Sequence, residues 1–350
     1  MEYRQLGRCG LRVSTITLGT MGFGGTGWAS PVGHIDVEGA RKQIGQARDA
    51  GVNLFDTADA YSNGLSEEIL GEALGSDRDE VLIATKVRNK MGDGPNDAGL
   101  SRHHIIRGAE ASLRRLGTDY IDLYQVHEWD GQTPLEETLH ALDHLVQSGK
   151  VRYIGCSNYA AWQLMKALWI ADREGVTPFV SMQYYYSLQA RDIENELVPL
   201  AVDQGLGILV WSPIAGGLLS GKYRRSVEAP PGSRHLTEWS EPPVYDEDKL
   251  YDTIEELVAI GADHGVSAAQ VALAYTMGKP AVTTVIVGAR TEEQLADNLA
   301  AADLTLSAEE VDRLDKVSAQ PLPYPYWHHL NASDRLSPAD LTLLARHIKG

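Results

Sequence analysis

Apolar residues along this 350-residue chain follow two rhythms in turn. A stretch with hydrophobic positions three and four apart runs into a glycine, and a short run rich in Val, Ile, Leu and Tyr follows within a few residues. The first rhythm is that of an amphipathic helix and the second that of a buried strand. Val37, Ala40, Ile44 and Ala47 mark one helix face, Asp36 is placed to cap its start, Gly51 to close it, and Asn53-Leu54-Phe55-Asp56 comes next. The same pattern predicts a helix over 101–116 that stops at Gly117 before Ile121-Asp122-Leu123-Tyr124-Gln125-Val126-His127. Thr133-Pro134-Leu135-Glu136 reads as a capping box for a helix that ends at Gly149, ahead of Arg152-Tyr153-Ile154-Gly155-Cys156. Helices over 159–174 and 193–204 precede strands over 179–183 and 207–211. Helices over 249–264 and 268–278 precede a strand over 284–287.

Two further runs, Ile16-Thr17-Leu18-Gly19 and Val81-Leu82-Ile83-Ala84-Thr85-Lys86, bring the strands to eight, with no linker between units. Eight βα units predict an α/β fold of the closed (β/α)₈ TIM-barrel type. The rival, a doubly wound open sheet, calls for fewer strands and a nucleotide fingerprint at its first turn. The expected organisation is one domain over 1–350, with a hairpin at 2–13, the barrel at 16–318 and a tail at 319–350. Gly7-Arg8-Cys9-Gly10 is the hairpin turn, placed to plug the barrel floor. Residues 216–248 carry glycines, prolines and aromatics without periodicity and are a candidate lid. In the tail, Ser337-Pro338-Ala339-Asp340 opens an amphipathic helix over 338–348, expected to pack over the mouth or against a neighbour.

Composition narrows the function. Hydrophobic residues make up 43%, enough for a large core, and 31 Lys+Arg against 48 Asp+Glu give a net charge of −17. With no compensating basic stripe, nucleic acid is excluded as a partner. Cys9 and Cys156 are the only cysteines and suggest neither a disulfide framework nor a zinc knuckle. A reducing, cytoplasmic setting is expected, and the sequon Asn331-Ala332-Ser333 is read as accidental. No run approaches the roughly 18 apolar residues of a membrane span, so no membrane partner is expected.

Gly22-Phe23-Gly24-Gly25-Thr26-Gly27 matches G-x-G-x-x-G, but the helix starts only after Asp36, so the motif reads as a mouth loop rather than a dinucleotide fingerprint. Chemistry in a barrel sits where strands end on the C-terminal face. Asp56, Lys86 and His127 close three successive strands, and Tyr61 lies in the loop after the second. Each alone has a structural explanation: a helix cap, a solvated charge, a packed ring. Together, an acid, a base and two proton carriers on consecutive units point to a catalytic cluster. His140 and His144, one turn apart, read as outer-face polar residues, and no metal site is expected, since neither His103-His104 nor His328-His329 comes with ligand spacing.

Asp56-Thr57-Ala58-Asp59-Ala60-Tyr61, Thr85-Lys86, Gln125-Val126-His127 and Gly155-Cys156-Ser157-Asn158 resemble, in order, motifs of the aldo-keto reductase family, with matching segments from Arg4 to past residue 320. The long lid loop and the Tyr324-Pro325-Tyr326-Trp327 tail are similar to a bacterial branch. The resemblance implies NADPH-dependent reduction of an aldehyde or ketone to an alcohol. Tyr61 would give the proton, Lys86 would lower the phenol pKa, Asp56 would keep Lys86 charged, and His127 would orient the carbonyl. It also assigns Ser157, Asn158 and Gln183 to the nicotinamide carboxamide and Trp211 to the nicotinamide ring. Gly19, Thr20, Met21 and Asp56 join them from strands one and two. Ser212, Pro213, Gly216, Leu218, Gly221, Lys222 and Arg234 form the pyrophosphate segment.

After the last strand come Gly288 and Arg290, and a helix capped at Thr291 begins. A guanidinium at a helix N-terminus suits the 2′-phosphate of NADP(H), with Gln294 and Asn298 reaching the adenosine. Trp28, Phe23, Trp129 and Tyr245 are candidate walls of a pocket for a small carbonyl substrate. Tyr184 of Tyr184-Tyr185-Tyr186 is expected near the cofactor, its neighbours in barrel packing. The alternatives are a non-catalytic NADP(H)-binding regulatory subunit, an NAD-linked alcohol or sugar dehydrogenase, and a metal-dependent barrel hydrolase. The barrel itself leaves substrate, direction and oligomeric state open.

Overall fold

Residues 1–27, 32–225, 227–231, 233, 235 and 241–348 are described by the structure, a computed structural model. The chain opens with an antiparallel hairpin, β1 (Tyr3–Gln5) and β2 (Arg12–Ser14), in which Tyr3 faces Ser14. Eight parallel strands then close into a barrel: β3 (Ile16–Gly19), β4 (Leu54–Asp56), β5 (Leu82–Val87), β6 (Ile121–Val126), β7 (Val151–Ser157), β8 (Ser181–Tyr185), β9 (Gly207–Trp211) and β10 (Val282–Val287), with β10 pairing back to β3. All eight predicted barrel strands are present. Around them lie α1 (Val37–Asp49), α2 (Leu65–Leu74), α3 (Arg102–Leu116), α4 (Leu135–Gln147), α5 (Ala161–Glu174), α6 (Leu197–Gln204), α7 (Glu247–His264), α8 (Ala268–Met277), α9 (Glu292–Ala300) and α10 (Ala308–Val317).

The hairpin does plug the floor. Leu6 and Val13 are fully buried and pack against Leu54, Ala84, Leu123 and Leu209 from four strands. Gly7 makes this possible: its φ is +58°, and a Cβ there would lie 2.6 Å from the Gly205 carbonyl oxygen, so only glycine lets the turn close on the barrel.

Two helix starts behave as read: Asp36 accepts from Gly39 N and Thr291 from Gln294 N. Ser101, expected as the first residue of its helix, instead caps it, accepting from His104 N. Thr133 does not cap α4, because its hydroxyl donates to Asp130 Oδ2 at 2.7 Å and Pro134 takes the cap position without a side-chain bond. The segment expected as one helix over 193–204 is split, a short turn at Asp192–Glu194 preceding α6. Helices α2 and α10 lie outside the sequence reading.

In the tail, α11 (Tyr326–His329) is followed by α12 (Pro338–Leu344), shorter than expected, with the Ser337 capping box present. α12 packs against α6 on the outside of the barrel, and Arg346 donates to Glu194 at 3.1 Å. None of the tail's described residues lines the mouth cavity. No single described helix is long and apolar enough to cross a membrane, and no group of three or more metal-ligating side chains occurs among the described residues.

Candidate active site

The barrel register brings distant residues to one level. Asp56 ends β4 opposite Gly19 of β3, Lys86 pairs with Gln125, and Ser157 pairs with Gln183. Lys86 is fully buried and Asp56 is 2% exposed. An ammonium in such a place is expensive unless paired. Lys86 Nζ donates to Asp56 Oδ2 at 2.6 Å, to the Thr57 carbonyl at 2.8 Å and to the Tyr61 hydroxyl at 3.2 Å, which uses all three of its hydrogens. Asp56 Oδ1 faces the other way and accepts from Gln183 at 2.8 Å and Gln125 at 3.3 Å.

Burial tends to strip the Lys86 proton, but Asp56 and Tyr61 outweigh it and hold the ammonium above its ordinary pKa. Tyr61 differs from expectation. Lys86 pulls the phenol pKa down, yet burial, reinforced by the Asp56 and Asp59 carboxylates, raises it overall. The phenol therefore carries its proton throughout the neutral range.

His127 follows β6 and is anchored by its backbone N–H on the Val87 carbonyl at 2.9 Å. Its ring stands edge-on to Tyr61, centroids 5.8 Å apart. Burial, then the Lys86 and Arg88 charges, holds the imidazole well below its ordinary pKa, so it is neutral. The Asn89 side-chain amide lies 3.2 Å from Nδ1. With the Asn89 amide nitrogen as donor, Nδ1 accepts and the ring proton sits on Nε2.

Asp56, Tyr61, Lys86 and His127 thus form one cluster, and Asp56, Tyr61 and His127 face a cavity of about 1350 Å³ at the mouth. Gly19, Met21, Ser157, Asn158, Gln183, Trp211, Ser212, Pro213, Gly216, Lys222, Gly288, Arg290, Gln294 and Asn298 also line it. Trp211 Nε1 donates to Asn158 Oδ1 at 3.2 Å, and its indole lies against Tyr185, centroids 4.9 Å apart. Tyr185, rather than Tyr184, is therefore the tyrosine of that run near the mouth; Tyr184 is buried and donates to the Tyr159 carbonyl.

The cavity has the chemistry a dinucleotide needs. Its β9 side carries the left-handed glycines Gly216 (φ +62°) and Gly217 (φ +98°), and a Cβ on Gly217 would come within 3.4 Å of Lys222 Nζ, so the absent side chain leaves the ammonium room beside the backbone. Beyond β10, Arg290 stands at the capped start of α9, its N–H donating to Gln294 Oε1 at 3.0 Å. Polar amides at one end and cations at the other match a carboxamide and phosphates.

Six expected site residues lie away from the cavity. Thr20 is buried, its hydroxyl bonded to Ser66 and the Asp56 carbonyl. Leu218 packs in a core cluster with Tyr223 and Ile254. Gly221 is a left-handed turn residue against α8. Trp129 stacks edge-on with Tyr159 and Trp162. Tyr245 is 92% exposed and turned to solvent. Phe23, 1% exposed, belongs to the core. Trp28 and Arg234 lie outside the described residues. From the segment 216–248, Pro230, Pro231, Ser233, Glu241 and Pro242 also line the cavity.

Sequence reasoning missed Gln125, Asn89 and Arg88. It also missed a buried group behind the cluster, where Glu67 is held by Arg115 and Thr85 and lies close enough to Asp59 to raise the latter's pKa well above normal, after burial itself. Glu67 lies in the first turn of α2 and Arg115 in the last turn of α3, where an acid and a base also suit the helix ends, so nothing in spacing separates a buried ion pair from a solvated one.

The sequence profile described as the aldo/keto reductase family matches residues 15–319. An uncharacterized oxidoreductase, YrpG, of Bacillus subtilis is 40% identical over 332 residues, covering 92% of this chain and 97% of its own. Versiconal hemiacetal acetate reductase of Aspergillus parasiticus is 38% identical, covering 90% and 96%. A probable voltage-gated potassium channel subunit beta of Oryza sativa subsp. japonica is also 38% identical, covering 91% and 96%. With a closed eight-stranded barrel, a floor hairpin and this coverage, the chain belongs to the aldo/keto reductase family.

Proposed function

We propose that the protein reduces an aldehyde or ketone to an alcohol with NADPH, Tyr61 acting as the proton donor. The observation that carries this reading is the Lys86 ammonium, 3.2 Å from the Tyr61 hydroxyl and 2.6 Å from Asp56. Reduced nicotinamide, when bound along Ser157, Asn158, Gln183 and Trp211, supplies the hydride. A carbonyl oxygen that gains charge in that step needs a proton, and Tyr61, protonated at neutral pH and facing the cavity, gives it. Lys86 then stabilises the phenolate left behind, and Asp56, fixed by Gln183 and Gln125, keeps Lys86 charged and aimed. Neutral His127, with its proton on Nε2, donates a hydrogen bond that orients the carbonyl. Arg290 holds the 2′-phosphate that distinguishes NADPH.

A second reading, a cofactor-binding channel subunit, is favoured by the names of relatives such as the rice protein. One assay separates the two: purified protein is mixed with NADPH and a panel of aldehydes and ketones, and loss of nicotinamide absorbance is followed. Turnover that requires the carbonyl supports the reductase. Tight NADPH binding with no turnover across the panel supports the subunit.

A further inference from the structure

We infer that Arg88 is a specificity residue and that the preferred carbonyl substrate carries a carboxylate. This rests on the reductase reading of the same cavity and names its substrate class. Arg88 is the first residue past β5, two positions after Lys86; it lines the cavity and lies close enough to His127 to depress that ring's pKa. It is half-buried, and its Nε is fully shielded with no hydrogen-bond partner; among the described residues no carboxylate lies within ion-pair distance of it. A guanidinium left unneutralised in a partly dry site is costly, and the buried Arg191 and half-buried Arg115 of this chain are neutralised by Glu194 and Glu67. The neighbouring Lys90 is different, being exposed and paired with Asp93.

The backbone at Arg88 is also held in place at a cost. Its φ is +142°, a region an L-residue rarely adopts, and its carbonyl accepts from Gly99 N at 2.8 Å. Topology decides which ligand the cation serves. In the barrel order β5 stands four strands from β9 in either direction, so Arg88, just past the end of β5, is diametrically opposite the glycine and Lys222 segment after β9. The phosphates of a dinucleotide lying over β9 and β10 have Lys222 and Arg290 on their own side. Arg88 instead shares the side of the cavity with Tyr61, Asn63 and His127, where a carbonyl must sit. Of the acids that share this wall, Asp56 is paired with Lys86, and Glu128 is exposed and makes no ion pair with Arg88, which leaves the guanidinium fork for a substrate oxyanion.

The test compares 3- and 4-carboxybenzaldehyde with their neutral methyl esters and with formylphenyl phosphate, using NADPH and wild type, Arg88→Met and Arg88→Lys. In wild type, kcat/KM for a carboxylated aldehyde should exceed that of its ester by about ten- to hundredfold, mainly through KM. Arg88→Met should erase that ratio, and Arg88→Lys should restore part of it. Equal ratios in wild type and Arg88→Met, or a preference confined to the phosphate ester, would overturn the inference. If no aldehyde, charged or neutral, is reduced by wild type, it is the reductase reading that fails, and the Arg88 inference, which depends on it, fails with it.

Discussion

Gln183 Nε2 donates to Asp56 Oδ1 at 2.8 Å, joining strands that stand opposite each other in the barrel, β8 and β4. Asp56 therefore divides its oxygens, one for the Lys86 ammonium and one for two glutamine amides. Replacing Gln183 with Leu removes the shorter amide bond and leaves a buried carboxylate oxygen short of a donor. Unfolding in urea should show a loss of about 1–3 kcal/mol. Unchanged stability would mean that Gln183 does not hold Asp56.

The buried pair behaves differently when one partner is removed and when both are. Lys86→Met strands the Asp56 carboxylate and should cost about 3–5 kcal/mol. Asp56→Asn combined with Lys86→Met removes the stranded charge and should recover part of that stability, measured by the same unfolding curves. Carbonyl turnover should be lost in both. Equal destabilisation of single and double variants would contradict a direct pairing.

His127 gives a pH dependence of definite sign. Unfolded, it takes up a proton as pH falls through its ordinary 6.5, whereas folded it does so only well below that value. The unfolded chain then binds more protons, so stability falls as pH drops below that point. Relative to His127→Asn, wild type should lose up to about 1.4 kcal/mol per pH unit there. His104, also lowered by burial, contributes equally to both proteins. Parallel curves for the two would sink the assignment.

Much of this was legible in the sequence for a simple reason. Asp56, Lys86 and His127 each stand at or just past the end of an apolar run, and a polar side chain there has only the barrel mouth to face. Tyr61 could be found because a short loop keeps it near its strand. What escaped needed geometry that the chain does not announce. The positive φ of Arg88 occurs in Val87-Arg88-Asn89, a run with no glycine to flag it. Tyr185 and Tyr184 alternate across the strand, and the wrong one was expected at the mouth because a one-residue offset in β8 exchanges the two faces. Thr133 had the spacing of a helix cap but found a nearer acceptor in Asp130. Leu218 and Gly221 matched a motif whose neighbours Gly216 and Lys222 reach the cavity, while they themselves serve packing and a turn.

The proposed preference for NADPH rests on one cation at the start of α9. Arg290→Ala should lower kcat/KM for NADPH by about ten- to hundredfold while changing NADH little, since only NADPH has the 2′-phosphate. Steady-state kinetics with both cofactors checks it. Equal losses would assign Arg290 to a group the two nucleotides share.

The most direct measurement is the turnover of Tyr61→Phe with NADPH and any aldehyde the wild type reduces, alongside cofactor binding followed by fluorescence. Removal of the one hydroxyl that faces Lys86 should lower kcat by about 10² to 10⁴ while NADPH binds as before. A variant that turns over near the wild-type rate would show that the proton comes from elsewhere, and the role given to Tyr61 and Lys86 would be wrong.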